Sequence, residues 1–368
     1  MKRQDLQLAP MLQFENIAWY EDGVVRILDR RIYPIEKRTV ECHTHREVAQ
    51  AITDMVTQSA GPYVAAAMGM ALAAYECREQ SASGQIAYLE DAARTIANAR
   101  PTTAKRMNLI VRGCLDAAGA ALEGRSITVS DERFGSTEIK TDPKHVPEAI
   151  RAYTVEINNL RYARIGEAAK HLAARFPEHG NVMTQCFAET IVGQMLKEAR
   201  LQGKDIRLFT PETRPYFQGS RLTATVIHDM GFDVTVITDN MPAAVMKNEG
   251  IDVFTCAADV ICGDGHVINK VGTYQISIAA KYHSVPVYVS GAPDVGHATV
   301  DTVRIEMREP SFVLQAMGTP TANPNVHGYY PAFDITPPEL ITGIATDQGI
   351  LSPFELDKYV RTTEDMLV

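Results

Sequence analysis

The chain has 368 residues, 45% of them hydrophobic, and a formal net charge of −9. That balance argues against a nucleic-acid surface, which needs clustered Lys and Arg, but leaves room for a local basic pocket around a small phosphate. No apolar run approaches the roughly 18 residues of a membrane span, and the six cysteines show no disulfide-framework spacing, so a membrane partner is not expected and a reducing cytoplasm is the simplest expectation.

The length allows about two domains. Met1-Lys-Arg-Gln-Asp5 lacks the apolar core of a signal peptide. Ile17-Ala-Trp-Tyr20, Glu21-Asp-Gly23 and Val24-Val-Arg-Ile-Leu28 read as a hairpin around Asp-Gly. Ile32 to Val40 is expected to add a third strand, with Pro34 favouring an edge or bulge. Thr44-His-Arg-Glu47 resembles a capping box and predicts a helix to about Gln58. Ala60-Gly-Pro62 breaks it, and Tyr63 to Glu76 reads as an Ala-rich helix. Segments 84–98, 102–122 and 147–175 also have helical patterns. Residues 1–150 are therefore expected to form an N-terminal hairpin and helical domain. Residues 151–368 are expected to form a Rossmann-like domain, linked through a helix at about 147–175.

After Pro177 the pattern alternates. Strands are expected at 182–185, 206–210, 234–237, 252–257 and 285–290, and helices at 188–202, 218–229, 241–248 and 271–283. Such alternation predicts an α/β fold with a parallel sheet. Ligands in these folds bind beyond the carboxyl ends of the strands, where the polar stretches of this chain fall.

Cys186 follows one expected strand and precedes a helix, a position that can lower a thiol pKa. The competing reading is a small buried hydrophobe. Asp259 ends another strand and suits acid–base work, or a cap or turn. Asn269-Lys270 is expected to open a helix, and Gln218-Gly-Ser-Arg221 opens another after a loop holding Arg214; helix starts suit anions. Arg100-Pro-Thr-Thr-Ala-Lys-Arg106 adds a basic cluster from the first domain. Cys42-His43-Thr-His45 lacks a matching second pair for zinc. Gly263-Asp-Gly265 is not a dinucleotide fingerprint. Neither a metal nor another cofactor is expected.

These stretches together resemble a family that holds methylthioribose-1-phosphate isomerase, ribose-1,5-bisphosphate isomerase and the regulatory subunits of the translation initiation factor two-B exchange complex. The motifs that carry the resemblance are Glu212-Thr-Arg-Pro215, Gln218-Gly-Ser-Arg-Leu-Thr-Ala224, Thr238-Asp239 with Met241, Ala258-Asp259 and Asn269-Lys-Val-Gly-Thr273. Arg304-Ile-Glu306 and Pro331-Ala-Phe-Asp-Ile-Thr-Pro-Pro-Glu339 fit as well. The resemblance implies a catalytic pair at Cys186 and Asp259, and phosphate and sugar contacts at Arg100, Gln218, Asn269 and Lys270. It also implies a homodimer built through the sheet domain.

The chain departs from the methylthioribose-phosphate enzymes at three places. Ser59-Ala-Gly-Pro-Tyr-Val-Ala65 stands where they carry an Arg-Gly-Ala-Pro motif. Cys186-Phe-Ala-Glu189 replaces a Cys-Asn motif, and Ala257-Ala-Asp-Val260 replaces Gly-Ala-Asp-Arg. The expectation is an aldose–ketose isomerase acting on a sugar 1-phosphate with an altered C5 substituent. In that scheme Asp259, neutral in a dry site, handles oxygen, and Cys186 acts at carbon as a thiolate; the two roles can also be exchanged, and a hydride shift would leave Cys186 only a polarising part. The alternatives are a non-catalytic sugar-phosphate or nucleotide sensor of the same family, and a scaffold subunit without ligand.

Overall fold

The computed structural model describes residues 2–100 and 104–361. The chain groups into two compact units, one formed mainly by Met1–Ala163 and the other by Arg164–Val360.

In the first unit a short helical turn α1 (Phe14–Ile17) leads into β1 (Ala18–Glu21) and β2 (Val24–Leu28). Glu21 pairs with Val24 across a two-residue loop. Asp22 and Gly23 both take positive φ, 49° and 79°, the mirror-image turn that matches strand twist. The third strand, β3 (Thr39–Cys42), lies later than the sequence predicts. Pro34 has no N–H for a ladder, and residues 29–36 instead fold into turns through bonds such as Tyr33 N to the Asp29 carbonyl.

Next comes α2 (His45–Thr53), whose capping box is formed by Thr44 and Glu47. The helix stops five residues before Gln58, where Met55 turns left-handed at φ 59°. His45 is buried and faces Glu76, 3.0 Å away, and Cys42 sits in the core. No group of three or more His, Cys, Asp or Glu suited to a metal ion occurs among the described residues.

Helices α3 (Gly61–Glu76), α4 (Ala82–Ala97) and α5 (Ala104–Leu122) follow. Their small residues, Ala65, Ala66, Ala71, Ala92 and Ala118 among them, form the core with Val48, Leu72 and Leu89. Gly69 is required there, because a Cβ would stand 2.9 Å from Val48. A hairpin absent from the sequence expectation, β4 (Ile127–Asp131) with β5 (Gly135–Ile139), precedes α6 (Val146–Ala173). Its inward positions are Ile127, Val129 and Asp131. The buried Asp131 carboxylate accepts from the Arg133 and Phe134 amides, so the third inward residue makes the turn.

The second unit alternates as expected. Its elements are β6 (His179–Thr184), α7 (Thr190–Leu201), β7 (Asp205–Pro211), α8 (Ala224–Asp229), β8 (Val234–Ile237), α9 (Pro242–Val245) and β9 (Val253–Ala257). Then come β10 (Val260–Ile261), β11 (Val267–Lys270), α10 (Thr273–Tyr282), β12 (Val287–Ser290), β13 (Gln315–Ala316), β14 (Thr319–Pro320), β15 (Phe333–Thr336), β16 (Gly343–Thr346) and β17 (Gly349–Leu351). The main sheet runs β17-β16-β12-β9-β6-β7-β8. All its pairings are parallel except the edge pair β16 with β17. Its middle strand, β9, is buried from Val253 to Cys256, as a sheet covered on both faces requires. Met183, Phe209, Phe254, Val289 and Ile344 form the core. A second, antiparallel sheet, β10-β11-β15, stands apart from the main one. No helix among the described residues is long and apolar enough to cross a membrane.

Thr44→Ala removes a side-chain cap of α2 and is expected to lower stability by about 1 kcal/mol. Chemical denaturation followed by circular dichroism reads this directly. An unchanged midpoint would mean that the cap contributes nothing.

Candidate active site

Strand β6 pairs with β7 on one edge and with β9 on the other. The chain moves outward from β6 through β7 to β8, then returns to β6's opposite edge as β9. Strand order reverses there, and the loops leaving β6 and β9 part to open a crevice at their carboxyl ends. Cys186 lies two residues past β6, and Asp259 two residues past β9. Gln218 stands beyond β7 at the start of a π-helical turn, Gly219–Thr223, that continues into α8.

Backbone strain concentrates in these loops. Of nine non-glycine residues with positive φ among the described residues, four follow β6 or β7: Cys186 (62°), Glu189 (53°), Thr213 (63°) and Phe217 (57°). Such conformations cost free energy and persist only where surroundings enforce them. The Thr223 hydroxyl donates to the Cys186 carbonyl. The Asp239 carboxylate accepts from the Thr213 and Arg214 amides at 2.8 and 2.7 Å. Gly219 is obligatory, because a Cβ would collide with the Pro211 carbonyl. π turns occur often at functional sites, and this one carries Gln218. That side chain is buried and its Oε1 has no hydrogen-bond partner.

Asn269 and Lys270 do not open a helix as the sequence suggests. They end β11, opposite Asp334 and Phe333 of β15, and α10 starts only at Thr273. The intervening Gly272 takes φ 111°, which ends the strand. Both residues are buried all the same. Asn269 Nδ2 donates to Thr273 Oγ1 at 3.0 Å, and Thr273 Oγ1 donates to Gln185 Oε1 at 2.8 Å. This buried polar chain ties β11 to the residue before Cys186. Lys270 Nζ donates to the Ala332 carbonyl at 2.9 Å and lies 4.9 Å from the Phe333 ring centre.

The charges in this crevice act on one another across a dry space. Burial pushes the Cys186 thiol up to about 11, against the opposing pull of Lys270 and the Phe187 amide. The expected lowering of this thiol is therefore overturned: desolvation outweighs the cations, and the group rests protonated. Burial likewise pulls the Lys270 ammonium below the ordinary lysine range, opposed by Cys186 and Asp259. Asp259 is not the dry carboxyl the sequence suggested, because it is exposed. Asp334 has that character. Burial raises it to about 6, although its Oδ2 accepts from the Gly272 and Tyr274 amides at 2.6 and 3.2 Å.

Cys186, Asp259, Asn269 and Lys270 thus come together, joined by Asp334 and Arg308. Arg308 Nε bonds Glu306 Oε1 at 3.0 Å, and its charge reaches Cys186 and Lys270. Arg214 is used differently from the sequence expectation: its Nη2 donates to the Gln315 carbonyl at 2.6 Å. Arg100 belongs to the first unit, half-buried after the end of α4. Sequence reasoning gave no role to Gln185, Thr273, Arg308 or Asp334. Asp334 and Thr273 lie inside the quoted motifs, but only the pairing of β11 with β15 puts Asp334 beside Lys270.

Fold and crevice define a Rossmann-like α/β protein whose polar residues gather where strand order reverses. Residues 56–353 match the Initiation factor 2 subunit family, and the chain belongs to that family. It is 35% identical over 348 residues to a methylthioribose-1-phosphate isomerase of Chloroflexus aurantiacus, covering 91% of this chain and 95% of that protein. It is 34% identical to the one from Syntrophotalea carbinolica, covering 90% and 94%. The crystal structure of 5-methylthioribose 1-phosphate isomerase from Pyrococcus horikoshii superposes with a TM-score of 0.75 at 29% identity, over 92% of this chain and 93% of that one. Translation initiation factor eIF-2B subunit delta from A. fulgidus gives 0.77 at 30% identity, over 95% and 98%.

The raised thiol makes a prediction. Iodoacetamide should alkylate Cys186 slowly at pH 8, and the rate should climb steeply as pH approaches about 11. Mass spectrometry of the Cys186 peptide follows this. Alkylation already at its plateau at pH 8 would contradict the protonated resting state.

Proposed function

We propose that this protein is an aldose–ketose isomerase that converts a 5-substituted ribose 1-phosphate, or a related sugar 1-phosphate, to the ketose 1-phosphate. The isomerase class rests on its relatives named methylthioribose-1-phosphate isomerase. The observation that carries the mechanism is the pairing of Cys186 and Asp259 on the two strands that flank the reversal, with buried Lys270 in electrostatic reach of both.

Opening the sugar ring needs a proton donor at the ring oxygen as the C1–O bond breaks. Hydrogen must then pass from C2 to C1, and the O2 proton must leave for a base as C2 becomes the ketone carbon. A thiol protonated at rest suits the first task and the exposed Asp259 carboxylate the second. This is the exchanged assignment of the two that the sequence left open. The donor set at Gln218, Asn269 and Lys270 would hold phosphate and sugar oxygens, and a buried ammonium binds a phosphate more strongly than a hydrated one. Arg100 is proposed as a further phosphate contact. The three departures from the methylthioribose-phosphate motifs favour a different C5 substituent, such as that of 5-deoxyribose 1-phosphate.

A second reading is a ligand-binding subunit without turnover. It is favoured by the match to the A. fulgidus structure named as an initiation factor subunit. The two part on turnover. Cys186→Ser and Asp259→Asn should each lower kcat by about 10²-fold or more, the scale for losing a positioned acid or base. NMR of the products from a panel of sugar 1-phosphates measures this. No turnover of any sugar 1-phosphate by the wild type would favour the subunit reading, and methylthioribose 1-phosphate as the best substrate would sink the proposed change in specificity.

We also propose a homodimer formed through the second unit. Tyr274, Ile278 and Tyr282 recur at helical spacing on α10 and are 41%, 46% and 84% exposed. Val236 and Met241 add exposed apolar surface, and such surface marks an interaction site. Light scattering should give twice the chain mass for the wild type, and the chain mass for the Ile278→Asp/Tyr282→Asp double variant. A monomeric wild type would end this proposal.

A further inference from the structure

A second cluster lies wholly in the first unit. Helices α3, α5 and α6 line a small cleft that opens to solvent. Tyr63 comes from α3, Arg106 from α5, and Tyr153, Thr154, Asn158 and Arg161 from α6. On α6 these residues follow helical spacing, so one face of that helix turns its polar groups into the cleft.

Arg161 is 8% exposed, and both Nε and Nη2 are buried without a hydrogen-bond partner. Those two atoms form the side-on fork of the guanidinium, the edge that grips two oxygens of one anion. A guanidinium cannot shed its charge at neutral pH, and leaving a buried charge without acceptors is costly. Among the described residues no Asp or Glu lines the cleft. Arg106 stands on α5 with its guanidinium 5.0 Å from the Tyr63 ring centre. Asn158 is 7% exposed and one turn before Arg161. Gly113 leaves space that the Tyr153 hydroxyl occupies, since a Cβ there would collide with that oxygen.

We propose that this cleft is a phosphate-binding site in which the Arg161 fork takes two phosphate oxygens and Arg106 supplies the second positive charge. Two cations and the Asn158 amide suit a tetrahedral dianion better than a carboxylate. The phosphate has two sources, a sugar phosphate substrate or a separate phosphate-bearing ligand. Only that second distinction rests on the isomerase reading.

The test uses the full chain and inorganic phosphate, followed by calorimetric titration and thermal shift at constant ionic strength. Saturable binding by the wild type is expected. Arg161→Met should weaken it by about 10-fold or more, the scale for losing hydrogen bonds to a charged group. Asn158→Asp offers a test that does not remove the cation. Its carboxylate, three residues before Arg161 on the helix, should fill the fork, raise the melting temperature and abolish phosphate binding. No saturable binding by the wild type, or wild-type affinity in either variant, overturns the proposal. Binding lost in Lys270→Met but kept in Arg161→Met places the phosphate in the second unit and overturns the proposal. With binding kept in Lys270→Met, competition by a sugar 1-phosphate assigns the substrate's phosphate, and no competition assigns a separate ligand. Neither result depends on turnover, so failure of the isomerase reading leaves the binding test intact.

Discussion

Everything in the second unit depends on β6 being hydrogen-bonded along both edges. Its parallel pairing with β7 and with β9 fixes the reversal of strand order. The reversal forces the two adjacent loops apart. A thiol and a carboxylate more than seventy residues apart in sequence then share one crevice. Loop chemistry alone could not achieve this, because loops without a rigid frame do not hold side chains in register. The frame is held at its centre by β9, which is buried on both faces.

Desolvation sets the character of the crevice. In water Lys270 would be the strongest influence on the Cys186 thiol, and would lower its pKa. Here the same dryness that weakens the ammonium strengthens the case for the neutral thiol, and Asp334 is drawn toward its neutral form as well. The site thus rests with less charge than its residue types suggest.

Much of this was legible in the sequence. Alternating strand and helix patterns gave the parallel sheet, the Asp-Gly turn gave the first hairpin, and the capping box gave the start of α2. Cys186, Gln218 and Asp259 could be placed at strand ends because chain order alone puts them there. Burial was harder to read. The sequence places Cys186 near a helix start, but whether a thiol is lowered or raised depends on the neighbours packed over it, which come from β11, β15 and the segment around Arg308. Asn269 and Lys270 were read as helical because the strand they end is only four residues long and Gly272 marks its stop. The β4–β5 hairpin escaped because Asp131 occupies an inward position where alternation predicts an apolar residue. Arg161 carries no sequence signal of its own: an Arg on a long helix reads as solvated, and only packing against α3 and α5 buries it.

The π turn at Gly219–Thr223 has a further consequence. Such a turn is an α-helix carrying one additional residue. The helix beyond it keeps its apolar face on the sheet, while the residue before it is rotated by about 100° relative to an uninterrupted helix, the angle of one residue at 3.6 per turn. Gln218 therefore owes its direction to a single inserted position. Length variation of one residue in this stretch, invisible to composition, is enough to change which way the buried amide at the head of α8 points.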